Sequence, residues 1–434
     1  MRRYPVTGVF GKAALGYILA LLLLVCCVPV CRAQPQPFIT EYEIDRDAIE
    51  IPFEYVHHEI LIHADVDDLK GLTLIFDTGA SSPTFDSSLK LNGSHLANNL
   101  IHEAEGQEPG ETVWLSEIKL RGPLGAVTAV NIAALVTDLA QVGKVVGKHV
   151  DGLLGISFTS GYVVEIDYER QMLVFHSPRA FTIAGRAGDS SRSFMFDTKP
   201  AAPSRRVSSV MVAGKLAGEY DYDFLVDTGF GGYVSVAQAA AQQSGLFTED
   251  TPHVTSTSFS LSHKFTSNKI RAGFLMLGDI NLSHRVVQVD VRNNDRDGQT
   301  GIVGNRLLQN YHVTLDYPRR KLLLERVTRT EEPDETEQPS IGISYRSTGQ
   351  ALRVERVSPY SPAAVSGVKP GDLVVSVNSH RLAELSRSEL VEMLKPQSGA
   401  VTLTLTRGEA ETDQGYFSVT LRATSPYDWI PSTK

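Results

Sequence analysis

The sequence predicts a mainly β protein in which two homologous lobes are followed by a small α+β domain. Two strand-like apolar segments end in the same tripeptide, LTLIF before Asp77-Thr78-Gly79 and FLV before Asp227-Thr228-Gly229. A glycine-bearing apolar motif closes each half, Gly152 to Gly155 within DGLLG and Gly301 to Gly304 within GIVGN. Because the motifs at both ends of each half keep nearly the same spacing, the pattern indicates a duplicated domain of about 150 residues.

The first 33 residues are interpreted as a cleaved secretory signal. Arg2, Arg3 and Lys12 precede an apolar run from Ala13 to Val30, and small Ala33 stands at a suitable cleavage position. An uncleaved single-span anchor is the alternative, because about 18 apolar residues is at the limit for crossing a bilayer. We therefore expect an exported protein, periplasmic or secreted, with membrane anchoring as the second possibility.

Cysteine and charge usage exclude several classes of chemistry. All three cysteines, Cys26, Cys27 and Cys31, fall within the predicted signal, so the mature chain would hold no thiol for a disulfide, a nucleophile or a zinc cluster. Cleavage would remove four basic and no acidic residues, which changes the formal charge from -9 to -13. This charge argues against a nucleic-acid partner, and neither a cofactor nor a metal is expected.

The rest of the chain divides by pattern and composition. EILIHADV alternates as a strand before LTLIF, and the polar stretch 39–51 is expected to pair at a sheet edge. Residues 92–112 predict a hairpin-like excursion. The predicted domains are lobe 1 at 34–176, a connector at 177–205, lobe 2 at 206–327, an acidic linker at 328–340, the third domain at 341–423 and a tail at 424–434.

The two strand-end aspartates predict acid–base chemistry. If a pseudo-twofold axis brings the carboxyls of Asp77 and Asp227 to about 3 Å from each other, the pair holds one proton between them. The ionised carboxylate can then activate a water while the protonated one donates to a scissile carbonyl. Thr78 and Thr228 can hold the two turns together through hydrogen bonds to the main chain, and a glycine after each threonine, Gly79 and Gly229, permits close backbone approach.

These motifs resemble those of the aspartic peptidases of the retropepsin and pepsin clan. FDTGAS with DGLLG, and VDTGF with GIVGN, carry the likeness, and the spacing is most similar to bacterial retropepsin-like aspartyl proteases over about residues 50–326. The resemblance implies two retropepsin-like acid-protease lobes that cleave polypeptides. It makes Asp77 and Asp227 catalytic, with Thr78, Gly79, Thr228 and Gly229 supporting them.

The second loop departs from the family pattern, because it continues Phe230-Gly231-Gly232. Family members with serine after the tripeptide can stabilise the ionised aspartate, which neither Ala80 nor Phe230 can do by side chain. We therefore predict a pH optimum nearer neutral than that of a gastric enzyme, and a rate profile peaking below about pH 3.5 would contradict this. The predicted flap segments are Gly106 to Gly110 in lobe 1 and 255–268 in lobe 2.

The third domain resembles bacterial PDZ domains of secreted and periplasmic proteases. SPAAVSGVKPGDLVVSVN carries the likeness, and SRSELVEMLK predicts a helix with Ser386 as its cap. The resemblance implies binding of peptide C-termini or extended segments by strand addition. The implied peptide-binding residues are Ile341, Gly342 and Ile343 in the carboxylate loop and Leu390, Val391 and Leu394 on the helix. A PDZ fold used only for packing or inhibition is the alternative.

The sequence leaves three competing interpretations. His58-Glu59 and His63 resemble a zinc-protease motif, but the second histidine is one residue too far and the segment alternates like a strand. A non-catalytic peptide-binding or sensor protein could retain the fold, and a peptidase could pair its lobes between chains. The natural substrate and the oligomeric state are not encoded in any pattern of the sequence.

Overall fold

The computed structural model describes residues 39–102, 107–183, 192–199, 210–218, 220–259, 264–290, 299–327, 339–347, 351–385, 393, 399–407 and 415–431. The predicted signal segment lies outside these residues. Within them, the helices are all too short or too polar to cross a bilayer.

Lobe 1 is built on a nine-stranded sheet of described residues. Its strands are β1 (Glu41–Ile44), β3 (Glu54–Val56), β4 (Glu59–Val66), β5 (Leu69–Phe76), β6 (Thr84–Asp86), β7 (Ser94–His102), β8 (Gln107–Gly122), β9 (Gly125–Thr137) and β10 (Gly152–Leu154). Two short helices accompany them, α1 (Ala140–Val146) and α2 (Ile156–Thr159). The strand order is β1-β9-β6-β10-β5-β4-β8-β7, with β3 paired to β4. The polar arm thus does pair at the sheet edge, through β1, and the expected excursion is the β7–β8 hairpin.

Lobe 2 repeats this arrangement with its own nine-stranded sheet. Its strands are β14 (Met211–Leu216), β15 (Tyr220–Val226), β16 (Val234–Ala237), β17 (His253–Phe259), β18 (Lys264–Arg271), β19 (Leu275–Leu277), β20 (Ile280–Asn281), β21 (Val286–Asp290) and β22 (Gln299–Val303), with helices α3 (Gln238–Gln243) and α4 (Asn305–Leu308). In both lobes a short strand inserts in parallel beside the strand that precedes Asp-Thr-Gly, β10 beside β5 and β22 beside β15. The duplication read from the motifs therefore extends to the sheet topology.

A six-stranded antiparallel sheet joins the two lobes. Its strands are β2 (Ala48–Pro52), β11 (Val163–Asp167), β12 (Met172–His176), β13 (Ser193–Asp197), β23 (Tyr311–Asp316) and β24 (Lys321–Arg326), in the order β13-β24-β23-β11-β12-β2. The strands that close the two halves meet at its centre, where β11 pairs with β23. The stretch predicted as connector 177–205 is not wholly irregular, because β13 lies within it and pairs with β24, burying Phe196.

The third domain is a separate sheet with its own core. Its strands are β25 (Ile343–Ser347), β26 (Leu352–Val357), β27 (Leu373–Val377), β28 (His380–Arg381), β29 (Ala400–Thr406) and β30 (Phe417–Arg422), with helix α5 (Pro362–Val365). Ser361 caps α5 by accepting a hydrogen bond from the Ala364 N–H at 3.1 Å. The predicted helix at Ser386, with Leu390, Val391 and Leu394, lies outside the described residues.

The C-terminal tail links the third domain to lobe 2. Ser340 and Thr424 exchange two backbone hydrogen bonds, so the chain enters and leaves the third domain at one place. A 3-10 turn at Pro426–Trp429 follows. Trp429 and Ile430 are buried in a cluster with Val254 and Val286 of lobe 2. The predicted tail is therefore an anchoring element in its described part.

Candidate active site

The two Asp-Thr-Gly turns are positioned by the same backbone contact in each lobe. Asp77 follows β5 and its N–H donates to the Leu154 carbonyl at 3.1 Å. Asp227 follows β15 and its N–H donates to the Val303 carbonyl at 2.9 Å. Each aspartate is thus held at the end of a buried strand by the glycine-bearing motif of its own lobe.

The second glycine of each apolar motif packs directly behind the turn. A Cβ on Gly155 would stand 2.5 Å from the Ser82 carbonyl oxygen, and a Cβ on Gly304 would stand 2.3 Å from the Phe230 carbonyl oxygen. Such distances leave no room for a side chain. The spacing of DGLLG and GIVGN behind the turns is therefore a packing requirement.

The two threonines connect the turns by reciprocal hydrogen bonds. Thr78 Oγ1 donates to the Val226 carbonyl at 2.7 Å and accepts from the Thr228 N–H at 3.0 Å. Thr228 Oγ1 donates to the Phe76 carbonyl at 2.6 Å and accepts from the Thr78 N–H at 3.0 Å. Both threonines are buried, so these four bonds join the lobes in a dry interface.

The paired glycines let the carboxyls meet. A Cβ on Gly79 would lie 2.4 Å from Asp227 Cγ, and a Cβ on Gly229 would lie 2.5 Å from Asp77 Cγ. The two carboxyls are hydrogen-bonding partners of each other. The structure thus brings together all six residues predicted for the dyad and its support.

Burial and mutual charge shift the pKa values of both aspartates. Burial raises the pKa of Asp77, against the Ala80 and Gly79 N–H groups, which donate to its Oδ1 at 2.9 and 2.8 Å. Burial and then the charge of Asp77 raise the pKa of Asp227 well above its ordinary value. Within its own turn, Asp227 Oδ1 accepts from the Gly229 N–H at 2.8 Å, while the Phe230 N–H turns to the Asp227 carbonyl. Asp77 thus accepts two N–H groups of its own turn and Asp227 accepts one, and the two carboxyls titrate as a pair.

A buried polar network supports the second turn. Asn305 is completely buried, and its Nδ2 donates to the Thr228 carbonyl at 2.6 Å and to the His58 carbonyl at 2.7 Å. The Tyr168 hydroxyl donates to Asn305 Oδ1 at 2.7 Å. Lobe 1 has Ile156 at the corresponding offset, so this network makes the two halves of the site unequal.

A third carboxyl, which sequence reasoning missed, lies against the second loop. Glu59 opens β4, and its Oε1 is 2.9 Å from where a Cβ on Gly231 would stand. Its Oε2 is buried without a hydrogen-bond partner in the described part of the chain. The unusual Gly231-Gly232 pair was the available signal, since consecutive glycines after the tripeptide indicate that another group needs the space.

The remaining predicted site features have mixed outcomes. The chosen flap segments coincide with the β7–β8 and β17–β18 hairpins, but residues 103–106 and 260–263 lie outside the described residues. Gly110 is within β8, opposite Asn99. Glu59–Val66 is a strand, as expected from its alternation, and in the described ranges no His, Cys, Asp and Glu side chains cluster as metal ligands.

The predicted carboxylate loop of the third domain is partly enclosed. Ile341 is buried, Gly342 has a φ of +82°, and the Gly342 N–H donates to Ser340 Oγ at 3.0 Å. β25, which starts at Ile343, is at the end of the described sheet order and pairs there with β26. Its other edge is the one to which an added strand would bind.

Comparisons with known proteins support both domain types. Residues 62–158 match the family model described as aspartyl protease, and residues 330–406 match that of the PDZ domain. The chain is also similar to the crystal structure of an aspartic proteinase from Irpex lacteus, at 13% identity, covering 66% of this chain and 99% of that chain, with a TM-score of 0.40. A search of curated proteins found no match.

The matched segments show that the chain combines an aspartyl protease domain with a C-terminal PDZ domain, and the mainly β fold class is confirmed. The aspartyl protease match contains Asp77 and ends before Asp227. Asp227 is placed beside Asp77 by the reciprocal threonine bonds between the two turns.

Proposed function

We propose that this protein is an aspartic endopeptidase that hydrolyses polypeptides with the Asp77 and Asp227 dyad. The observation that carries the proposal is the direct meeting of two half-buried strand-end carboxyls, each opposite the glycine of the other turn. Two such carboxyls share one proton and so offer a base and an acid at one place.

The asymmetry of the pair assigns the two roles. Asp77, which accepts two N–H groups from its own turn, is the carboxylate that takes a proton from the attacking water. Asp227 donates its proton to the scissile carbonyl oxygen as the water oxygen bonds to carbon. Asp77 then gives its proton to the leaving nitrogen, Asp227 recovers one from the diol intermediate, and the carbon–nitrogen bond breaks. The dyad ends in its starting protonation state.

Two measurements separate the proposal from its two alternatives. Wild-type, Asp77→Asn and Asp227→Asn proteins are incubated with an unstructured protein across pH, and cleavage sites are read by mass spectrometry. We expect cleavage by the wild type only. Unchanged cleavage by Asp77→Asn would refute the proposal. An inactive wild type would instead favour the alternative that the protein is a non-catalytic peptide-binding or sensor protein. Full activity of a monomer under dilute conditions would dispose of lobe pairing between chains, which the reciprocal Thr78 and Thr228 bonds within one chain already disfavour.

The PDZ domain is proposed to recruit or gate polypeptide substrates. The support is the edge position of β25 beside Gly342, since PDZ domains bind extended peptides by adding a strand. Fluorescence anisotropy with peptides carrying a free or an amidated C-terminus tests this. Equal binding of both forms would argue against carboxylate capture, and no binding of either would favour a packing role.

Export of the protein is proposed from the N-terminal segment alone, with an uncleaved anchor as the alternative. Mass spectrometry of the N-terminus of the natural protein decides between them. Cleavage next to Ala33 supports export of a freed chain, and an intact apolar segment supports anchoring.

A further inference from the structure

One buried carboxyl near the proposed dyad belongs to neither repeat motif. Glu59 follows a tight turn in which His57 and His58 have φ values of 49° and 66°. This turn directs the Glu59 carboxyl inward, where its Oε2 is buried and lacks a hydrogen-bond partner among the described residues. A buried carboxyl with an unsatisfied oxygen is costly, so its retention calls for a role in the site.

The second loop is shaped around this carboxyl. The Gly231 backbone lies against the Glu59 carboxyl, and any Cβ on Gly231 would collide with Oε1 at 2.9 Å. A Cβ on Gly232 would stand 2.1 Å from the Phe230 ring. The unusual loop Phe230-Gly231-Gly232 thus has glycine at the position where the Glu59 carboxyl leaves no room for a side chain.

The charges around Glu59 disfavour its ionised form. Burial, then the charges of Asp77 and Asp227, raise the pKa of Glu59 well above its ordinary value, and the Gly231 backbone opposes this. His58 supplies no compensating cation at neutral pH, because burial, then Arg306 and then His57, lower its pKa to about 4. In the described chain, the ionisable groups packed around this turn include Asp77, Asp227, Tyr55, Tyr168, His57, His58 and Arg306.

We propose that Glu59 is a positioning residue: a third carboxyl that holds the second loop through Gly231 and keeps the Asp227 proton in place as the pH rises. This inference rests on the proposed function. While Glu59 is protonated, the dyad carries its single negative charge. When Glu59 ionises, its charge opposes the loss of the Asp227 proton, so the working state of the dyad extends to higher pH.

The test compares pH profiles of kcat/KM for wild type, Glu59→Gln and Glu54→Gln. Glutamine keeps an oxygen against the Gly231 backbone, but it cannot ionise. We expect the alkaline limb of Glu59→Gln to move down by about one pH unit while the acidic limb stays in place. Glu54, an exposed residue of the same hairpin that pairs with Lys148, is the matched control and should leave both limbs unchanged. An alkaline limb that does not move in Glu59→Gln overturns the proposal.

A second measurement needs no substrate. An acid whose pKa is raised on folding stabilises the protein below its unfolded pKa, and this contribution is lost as the pH rises through the folded pKa. The Tm of Glu59→Gln relative to wild type should therefore increase between pH 4 and pH 8, whereas that of Glu54→Gln should not. A flat difference for Glu59→Gln refutes proton retention at Glu59. If the wild type proves inactive while the Tm difference between Glu59→Gln and wild type rises with pH, the peptidase proposal fails, but the proton held by Glu59 is still supported.

Discussion

Replacement of Thr228 by valine tests whether the reciprocal threonine bonds hold the lobes together. Valine has nearly the same shape, so the change removes the hydroxyl and little else. Thr228 is completely buried, and its Oγ1 donates to the Phe76 carbonyl at 2.6 Å and accepts from the Thr78 N–H at 3.0 Å. Both partners would be left in a dry interface with no replacement.

The expected cost follows from those two orphaned groups. Each buried polar group left unsatisfied costs about 1–3 kcal/mol, so the free energy of unfolding of the two-lobe unit should fall by about 2–6 kcal/mol. At roughly 2 °C per kcal/mol, this is a Tm decrease of about 4–12 °C. Turnover should also fall, because the turn carrying Asp227 loses its connection to the opposite lobe.

A second buried threonine provides the control. Thr314 in β23 is also completely buried, but its hydroxyl has no hydrogen-bond partner in the described chain. Differential scanning calorimetry of Thr228→Val and Thr314→Val should therefore show a large Tm decrease for the first and no decrease for the second. Equal Tm values for Thr228→Val and wild type would refute the reasoning.

Three further changes have defined outcomes. Gly229→Ala would place a methyl group 2.5 Å from Asp77 Cγ and displace that carboxyl. We expect kcat to fall at least about 100-fold with an unchanged circular dichroism spectrum. Retained turnover would contradict the close approach of Gly229 to the Asp77 carboxyl. The hydrogen bond and charge of Glu165 raise the pKa of His312. This pair therefore stabilises the fold below the unfolded pKa of histidine, and the contribution is lost as the pH rises. His312→Gln should reduce the Tm difference between pH 6 and pH 8, and an unaltered difference would count against the pair. Trp429→Ala should weaken docking of the PDZ domain on lobe 2. We expect limited proteolysis to release that domain about tenfold faster, a factor that corresponds to about 1.4 kcal/mol. An unchanged rate of release would show that Trp429 is not needed for docking.

The repeat made the architecture of the dyad predictable from the sequence. Asp77 and Asp227 each follow an apolar strand, and each lobe repeats the same glycine motif behind its turn. Two copies of a strand-turn unit in one chain constrain each other, because a twofold arrangement is the way for both to bury the same apolar face. The observed threonine bonds follow from that symmetry.

The features that break the repeat were missed, because the Gly231-Gly232 pair indicates only that some group lies beside the second loop and does not identify that group. Glu59 contacts Gly231, far away in the sequence, and its place in an alternating strand looks like any solvent-facing polar position. Asn305 replaces Ile156 of the other half, and nothing local to either residue indicates a buried polar network. β13 was missed for a similar reason, since five residues within a polar connector form a strand only because β24 offers a pairing edge.

The buried position of Trp429 also provides an intrinsic fluorescence reporter of PDZ-domain docking. The chain has two tryptophans, Trp114 in β8 and Trp429, whose ring lies buried between lobe 2 and the loop at Gly342. In a Trp114→Phe protein all tryptophan emission would come from that junction. Because indole fluorescence shifts to longer wavelength on contact with water, undocking of the PDZ domain would be visible as a red shift, without any added dye or label.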